Sequence, residues 1–133
     1  MLRFLEIKSR ARTEFVDITA AVHEIIRDSG IKSGLCNLFV QHTTAGITVN
    51  EGADPAVQRD MITFLNQLVP EDYHFTHAEG NSDAHIKSTL VGSSLAIPVE
   101  GGKLLLGTWQ AVYLCEFDGP RQRKVAVKLL ADN

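Results

Sequence analysis

The chain has 133 residues, 44% hydrophobic and 22% charged, with a net charge of −3, enough for one domain (1–133) that buries roughly two-thirds of its unfolded surface. The charge balance argues against nucleic acid or an anionic membrane as partner, and no apolar run reaches the roughly 18 residues of a membrane span. Met1-Leu2-Arg3-Phe4-Leu5-Glu6 turns polar too early for a signal peptide, so the expected setting is cytoplasmic.

In chain order, Leu2 to Ser9 alternates loosely and predicts a strand, and Glu14 to Ile18 a second. Asp17 or Thr19 can cap a helix whose apolar face is Val22, Ile25 and Ile26, with Gly30 placed to end it. Gly34 to Gln41 is a strongly apolar strand. Thr43-Thr44-Ala45-Gly46 predicts a turn, and Ile47 to Asn50 the next strand. Asp54 is a good N-cap and Pro55 a good first residue for a helix. Val57, Met61, Phe64, Leu65 and Leu68 recur along it at helical spacing, and Pro70 stops it. Ser82 to Val91 predicts a short helix with Ile86 and Leu90 inward. Strands follow at Ser94 to Pro98, Leu104 to Leu106, Gln110 to Asp118 and Arg123 to Ala131. Gly101-Gly102 and Gly119-Pro120 are turns between them. The order is not a repeating β-α-β alternation, and short turns favour antiparallel pairing. The expected class is α+β: a mainly antiparallel sheet or sandwich with two or three helices at one side.

Three polar clusters interrupt this pattern. His77-Ala-Glu-Gly-Asn-Ser-Asp-Ala-His85 carries two imidazoles, two carboxylates and a carboxamide with no large apolar side chain. Gln41 to Glu51 adds His42, Thr43, Thr44, Asn50 and Glu51. On the predicted strand from Gln110, period two places Gln110, Val112, Leu114, Glu116 and Asp118 on one face, either solvent-facing or lining a pocket. Arg121 can pair with Asp118. Arg121, Arg123, Lys124 and Lys128 suggest a solvated edge. Core is the default for Trp109, the only Trp, with stacking on a planar ligand as the alternative. His23 reads as a surface residue, His74 as structural, and Gly92-Ser93-Ser94 as a plain turn. Cys36 and Cys115 lie in apolar runs and read as buried small hydrophobes.

Histidine suits proton transfer and metal ligation near neutral pH. His42, His77 and His85 can supply three imidazoles to a divalent metal, with Glu51, Glu79 and Asp83 as supporting carboxylates. The spacing matches no standard zinc motif, and Mg²⁺ held by carboxylates and a substrate phosphate fits as well as Zn²⁺. The Thr43–Gly46 and Glu79–Ser82 stretches also offer hydroxyls and backbone N–H groups to a phosphate.

Gln41-His-Thr-Thr-Ala-Gly-Ile-Thr-Val-Asn-Glu51, Asp54-Pro55, the 77–85 segment, Pro98, Leu106-Gly-Thr-Trp-Gln110 and Glu116-Phe-Asp-Gly-Pro-Arg121 closely resemble the YjbQ-like family over essentially the whole chain. The family is commonly labelled a secondary thiamine-phosphate synthase family. The resemblance implies a compact α+β fold with a β-sandwich, a homotrimer, and a pocket near subunit contacts. That pocket is built around His42, Asn50, Glu51, His77, Asn81, Asp83, His85, Trp109 and Glu116. It also implies a transferase that couples a pyrimidinylmethyl diphosphate to a thiazole phosphate. In that reading His42 and His85 position or ligate, Glu51 and Asp83 hold metal, and Asn81 with Arg121 contacts phosphate. Thr43, Thr44, Asn50, Trp109, Gln110 and Glu116 complete the substrate site. Two alternatives stay open: a metal-dependent hydrolase using the His/carboxylate cluster, and a non-catalytic trimer that binds a small ligand.

Overall fold

The computed structural model describes residues 1–133. Eight strands and three helices follow one another as β1 (Leu2–Lys8), β2 (Glu14–Asp17), α1 (Thr19–Ser29), β3 (Gly34–Val40), β4 (Ala45–Glu51), α2 (Pro55–Leu68), α3 (Ser82–Val91), β5 (Ser94–Glu100), β6 (Lys103–Leu104), β7 (Gln110–Glu116) and β8 (Gln122–Ala131). A five-stranded sheet, β1-β8-β3-β5-β6, faces a three-stranded sheet, β2-β7-β4. Every pairing is antiparallel. This is the α+β architecture that the sequence pattern implied. No helix is long and apolar enough to cross a membrane.

Alternation of side chains along the strands builds the core. Cys36, Leu38 and Val40 of β3 and Val125, Val127 and Leu129 of β8 meet Ala45 and Ile47 of β4 and Val112 and Leu114 of β7. Val22 and Ile26 of α1 pack into the same core. Each such fully buried aliphatic side chain contributes about 1.5–3 kcal/mol. The alternate residues of β7, Ala111, Tyr113 and Cys115, point the other way and pack with Phe117 and with Ala84 of α3. So β7 is covered on both faces, and Val112, Leu114 and Glu116 are all 0% exposed. The solvent-facing option is therefore ruled out for Val112, Leu114 and Glu116, while Gln110 at the start of the strand is exposed.

Local chemistry fixes the helix ends. Asp54 Oδ1 accepts the Ala56 N–H at 2.9 Å, ahead of Pro55, as its capping role requires. Gly30 ends α1 in the left-handed region at φ 76°. At the start of α1, Asp17 Oδ1 accepts the Thr19 N–H at 2.9 Å. The Thr19 hydroxyl instead accepts the Val112 N–H at 2.8 Å, tying the helix to β7.

Several expectations are corrected. In α3 the inward residues are Asp83, Ala84, Lys87 and Ser88, while Ile86 and Leu90 face outward. The charged face goes inside because its charges are mutually paired, as described below. Ala45 and Gly46 belong to β4 and not to a turn. A Cβ on Gly46 would sit 2.8 Å from the Gly92 carbonyl oxygen, so glycine here lets the end of α3 close on β4. Ile47 N–H then donates to that same oxygen at 3.0 Å. β8 is an interior strand between β1 and β3 and its Arg123 is buried, so these cations do not mark a sheet edge, although Arg121, Lys124 and Lys128 are exposed as expected. Trp109 is 65% exposed and not core. His23 is half-buried and accepts the Leu104 N–H at 3.1 Å.

Candidate functional site

The first turn of α3 is held by paired charges. Asp83, fully buried, accepts two bonds from Arg12, at 3.0 and 3.2 Å, and one from Lys87 Nζ at 2.8 Å. Lys87 Nζ also donates to Asn66 Oδ1 at 2.8 Å. Burial alone would raise the Asp83 pKa, but the bonds from Arg12 and Lys87 outweigh it and hold the carboxyl below its ordinary range. Asn81, just before the helix, donates to Asp118 Oδ2 at 2.9 Å, and Arg121 donates to the same oxygen at 3.0 Å. The start of α3 is thereby pinned to the β7–β8 turn. Asn81 Oδ1 is buried with no hydrogen-bond partner.

A second buried pair lies beside it. Arg123 and Glu116 face each other on β8 and β7, and Arg123 Nε donates to Glu116 Oε1 at 2.8 Å. A further Arg123 N–H reaches Glu116 Oε2. Arg123 also donates to the carbonyl and hydroxyl oxygens of Thr44 at 3.1 and 2.8 Å. Ser9 Oγ and the Asp118 N–H complete the carboxylate's partners at 2.7 and 3.0 Å. Burial pushes the Glu116 carboxyl up, and the bonds from Arg123, Ser9 and Asp118 pull it further down, below the usual range.

His42 sits on the outer side of this pair. Its Nε2 accepts the Lys124 backbone N–H at 2.9 Å, which assigns the neutral ring's proton to Nδ1. Burial lowers the His42 pKa. Repulsion from Arg123, Arg121 and Lys124 adds to that, and Glu116 offsets it only in part. His42 is a neutral donor in a cationic field, suited to an anion.

Across from His42 stands His85. A hollow of about 470 Å³ lies between them, walled by Thr43, Ser88, Thr89 and Ser93. Ser88 Oγ is buried and unpartnered. His85 also walls a second hollow, of about 400 Å³, with Phe75, His77 and Ser82. The His77 and His85 rings meet edge to face, 5.6 Å between centres. Glu79 lies 3.7 Å from His77 Nε2. Within one chain the three imidazoles do not form a ligand set: the Nε2 lone pair of His42 is taken by Lys124, and no group of three His, Cys, Asp or Glu side chains is placed to hold a metal ion.

The remaining expected residues lie elsewhere. β4 and β7 pair Ala45 with Glu116 at one end and Glu51 with Gln110 at the other. The six intervening steps separate these ends by about 20 Å. Asn50, Glu51, Trp109 and Gln110 therefore form a second polar end, distant from His42 and His85. Glu51 there accepts the Ala53 N–H, and its carbonyl accepts the Tyr113 hydroxyl.

The sequence matches the family described as UPF0047 protein YjbQ-like over residues 3–132. The chain belongs to this family. It is 53% identical to the UPF0047 protein MJ1081 of Methanocaldococcus jannaschii, covering 99% of this chain and 96% of that protein. It is 47% identical to the UPF0047 protein YugU of Bacillus subtilis, over 98% and 99%. A crystal structure of a YjbQ/UPF0047 family protein from Clostridium acetobutylicum superposes with a TM-score of 0.94 at 48% identity, covering 96% of this chain and 99% of that one. A YbjQ-like protein of unknown function from Sulfolobus solfataricus gives 0.94 at 35% identity, over 99% and 97%. The family's fold thus spans the whole chain.

Within this YjbQ-like frame, three groups of residues escaped the sequence reading. Ser88 and Thr89 follow His85 by three and four positions, the spacing that puts them on its helix face, so periodicity could have found them. Ser93 lies in the short link between α3 and β5, where a small polar residue marks no site. Arg123 sits among exposed cations, and nothing local in the sequence marks Glu116 as its partner.

Proposed function

We propose that the chain binds two small phosphorylated molecules in the adjoining hollows around His85 and couples them. The family resemblance narrows this to joining a pyrimidinylmethyl diphosphate and a thiazole phosphate. The observation that carries the reading is His85 itself. It is the common wall of two hollows, with His42 across one and His77 across the other, and hydroxyl groups surround it. Two compartments sharing one wall suit a reaction with two substrates.

In that reaction the bond from the pyrimidinylmethyl carbon to the diphosphate oxygen breaks, and the diphosphate leaves with the electron pair. The thiazole nitrogen supplies the pair for the new C–N bond. The chain's task is to hold the leaving group and align the nitrogen. His42 Nδ1–H and the hydroxyls of Thr43, Ser88 and Ser93 offer donors to phosphate oxygens, in the field of Arg121, Arg123 and Lys124; the Thr89 hydroxyl is held by the His85 carbonyl at 2.9 Å. Asp83 contributes by fixing α3, and so His85, and not by touching substrate. The donors of one chain do not suit a resident metal. A divalent ion enters this reading as Mg²⁺ chelated by the substrate's diphosphate. The hydrolase alternative requires imidazoles from more than one chain around one Zn²⁺.

The same reading takes the chain as a homotrimer. Helix α2 supports this: no residue of it is buried, and Phe64 and Leu68 are 63% and 58% exposed beside Leu90 of α3 at 57%. A monomer seldom leaves such a stripe uncovered. Assembly would also allow Trp109, Gln110, Asn50 and Glu51 of one copy to approach the His85 hollows of another.

The test is thiamine phosphate formation by pure wild-type protein and by His85→Ala, prepared side by side with excess Mg²⁺. The expected result is turnover by the wild type and at least a hundredfold loss in the variant. Equal activity in both, or none in either, would sink the transferase reading.

A further inference from the structure

We propose a second, separate anion site: a cleft between the C-terminal end of α1 and the β5–β6 turn that takes a small organic phosphate or diphosphate. It does not depend on the reading of His85. The cleft encloses about 460 Å³ and has Ile26 and Ile31 among its walls. His23, Arg27, Lys32 and Lys103 also line it, and no carboxylate does. Strand β3 runs between the two sites, with Lys32 before its start and His42 after its end, so they lie about 20 Å apart.

Three different elements bring the cations together. Arg27 comes from the last turn of α1, Lys32 from the α1–β3 link, and Lys103 from β6. The Gly102 N–H donates to the Lys32 carbonyl at 2.9 Å, fastening the β5–β6 turn to the link. Gly101 and Gly102 adopt φ of 58° and 75°. A Cβ on Gly102 would lie 3.7 Å from Lys32 Nζ, so the lysine passes directly over the turn.

None of the three cations is paired with a carboxylate. Of the nearby carboxylates, Asp132 accepts the Ser33 hydroxyl at 2.6 Å, and Glu100, 3.1 Å from the same hydroxyl oxygen, stands opposite Lys103 across β5 and β6 without closing an ion pair to it. Arg27 alone could be explained as complementing the negative end of α1. Lys32 and Lys103 belong to other elements and have no such partner. His23 accepts the Leu104 N–H through Nε2, which puts the neutral ring's one N–H on Nδ1. Three unpaired cations with an imidazole donor select a multiply charged anion. The half-buried Ile31 and the volume favour one that carries an organic body over a bare ion.

The test is a site-resolved NMR titration of ¹⁵N-labelled, deuterated protein with inorganic diphosphate at 150 mM salt, where loose surface attraction is screened. The amides of Gly30, Gly101 and Gly102 report on the cleft. Saturable shifts at these three are expected. Affinity should fall at least tenfold in Lys32→Gln/Lys103→Gln and stay unchanged in His85→Ala. Shifts that do not saturate, or that persist undiminished in the double variant, would overturn the proposal.

Discussion

Replacing Arg123 with Met isolates the contribution of the buried pair beneath His42. Arg123 is 2% exposed and Glu116 0%, so the change strands a carboxylate where water cannot reach it. Losing one partner of a buried ion pair costs about 3–5 kcal/mol. Glu116 keeps its bonds from Ser9 and Asp118, which places the expected loss near the lower end, at about 3 kcal/mol. With a urea slope of about 2 kcal/mol per molar, the midpoint should fall by about 1.5 M. Far-UV circular dichroism at fixed protein concentration is the suitable probe, because exposed Trp109 reports poorly on the core. The double variant Arg123→Met/Glu116→Gln should lose about 2 kcal/mol less than the sum of the two single changes. The His42 pKa should rise as the Arg123 repulsion disappears, though burial still holds it down. A single-variant loss under about 0.5 kcal/mol, the size of an ordinary surface change, or strict additivity in the double variant, would refute the reasoning.

Stability should also decline with acid in two stages. The folded pKa of His42 is lowered, so the unfolded imidazole protonates first, and a mild loss of stability begins near pH 6.5. Glu116 and Asp83 are held below the ordinary carboxylate range. Their contribution is full above about pH 4 and is lost as pH falls through their folded values. Urea midpoints from pH 8 to 2 should be flat to pH 7, then shallow, then steep; a midpoint that rises below pH 4 would contradict this. Burial pushes the Cys36 thiol up to about 11 and the Cys115 thiol higher still. Both should ignore a disulfide reagent at pH 8 until urea unfolds the chain, and prompt reaction of either would show that its surroundings are open. Light scattering should give about three times the 14.6 kDa chain mass, and Phe64→Glu/Leu68→Glu should reduce it to one. An unchanged mass in that variant would remove α2 from the interface.

Elements with local determinants were legible in the sequence. Asp54-Pro55 and Gly30 mark helix ends through bonds within a few residues, and β3 and β8 declare themselves by sustained apolar content. The inward face of α3 was not legible. Asp83 and Lys87 are buried because they neutralise each other, and Arg12, 71 positions before Asp83, fills the carboxylate's remaining hydrogen-bond sites; composition alone makes Ile86 and Leu90 the better core residues. Glu116 posed the same problem. A carboxylate on an apolar strand reads as solvent-facing until Ser9 and Arg123 are seen to converge on it. The polar clusters did point to His42 and His85, which the fold brings to one hollow. Glu51, in one motif with His42, and Trp109 and Gln110, on one strand run with Glu116, lie at the far ends of β4 and β7, some 20 Å from His42 and Glu116. Linear patterns carry no information on which end of a hairpin a motif will occupy.

The central claim is that the hollow between His42 and His85 receives a phosphorylated substrate. The most direct measurement is calorimetric titration of the pyrimidinylmethyl diphosphate with Mg²⁺ in the Lys32→Gln/Lys103→Gln background, with and without His85→Ala, so that the second cationic cleft does not contribute. Saturable binding that weakens at least tenfold on loss of His85 is the predicted result. Equal affinity with and without His85, or no binding in either protein, would contradict it.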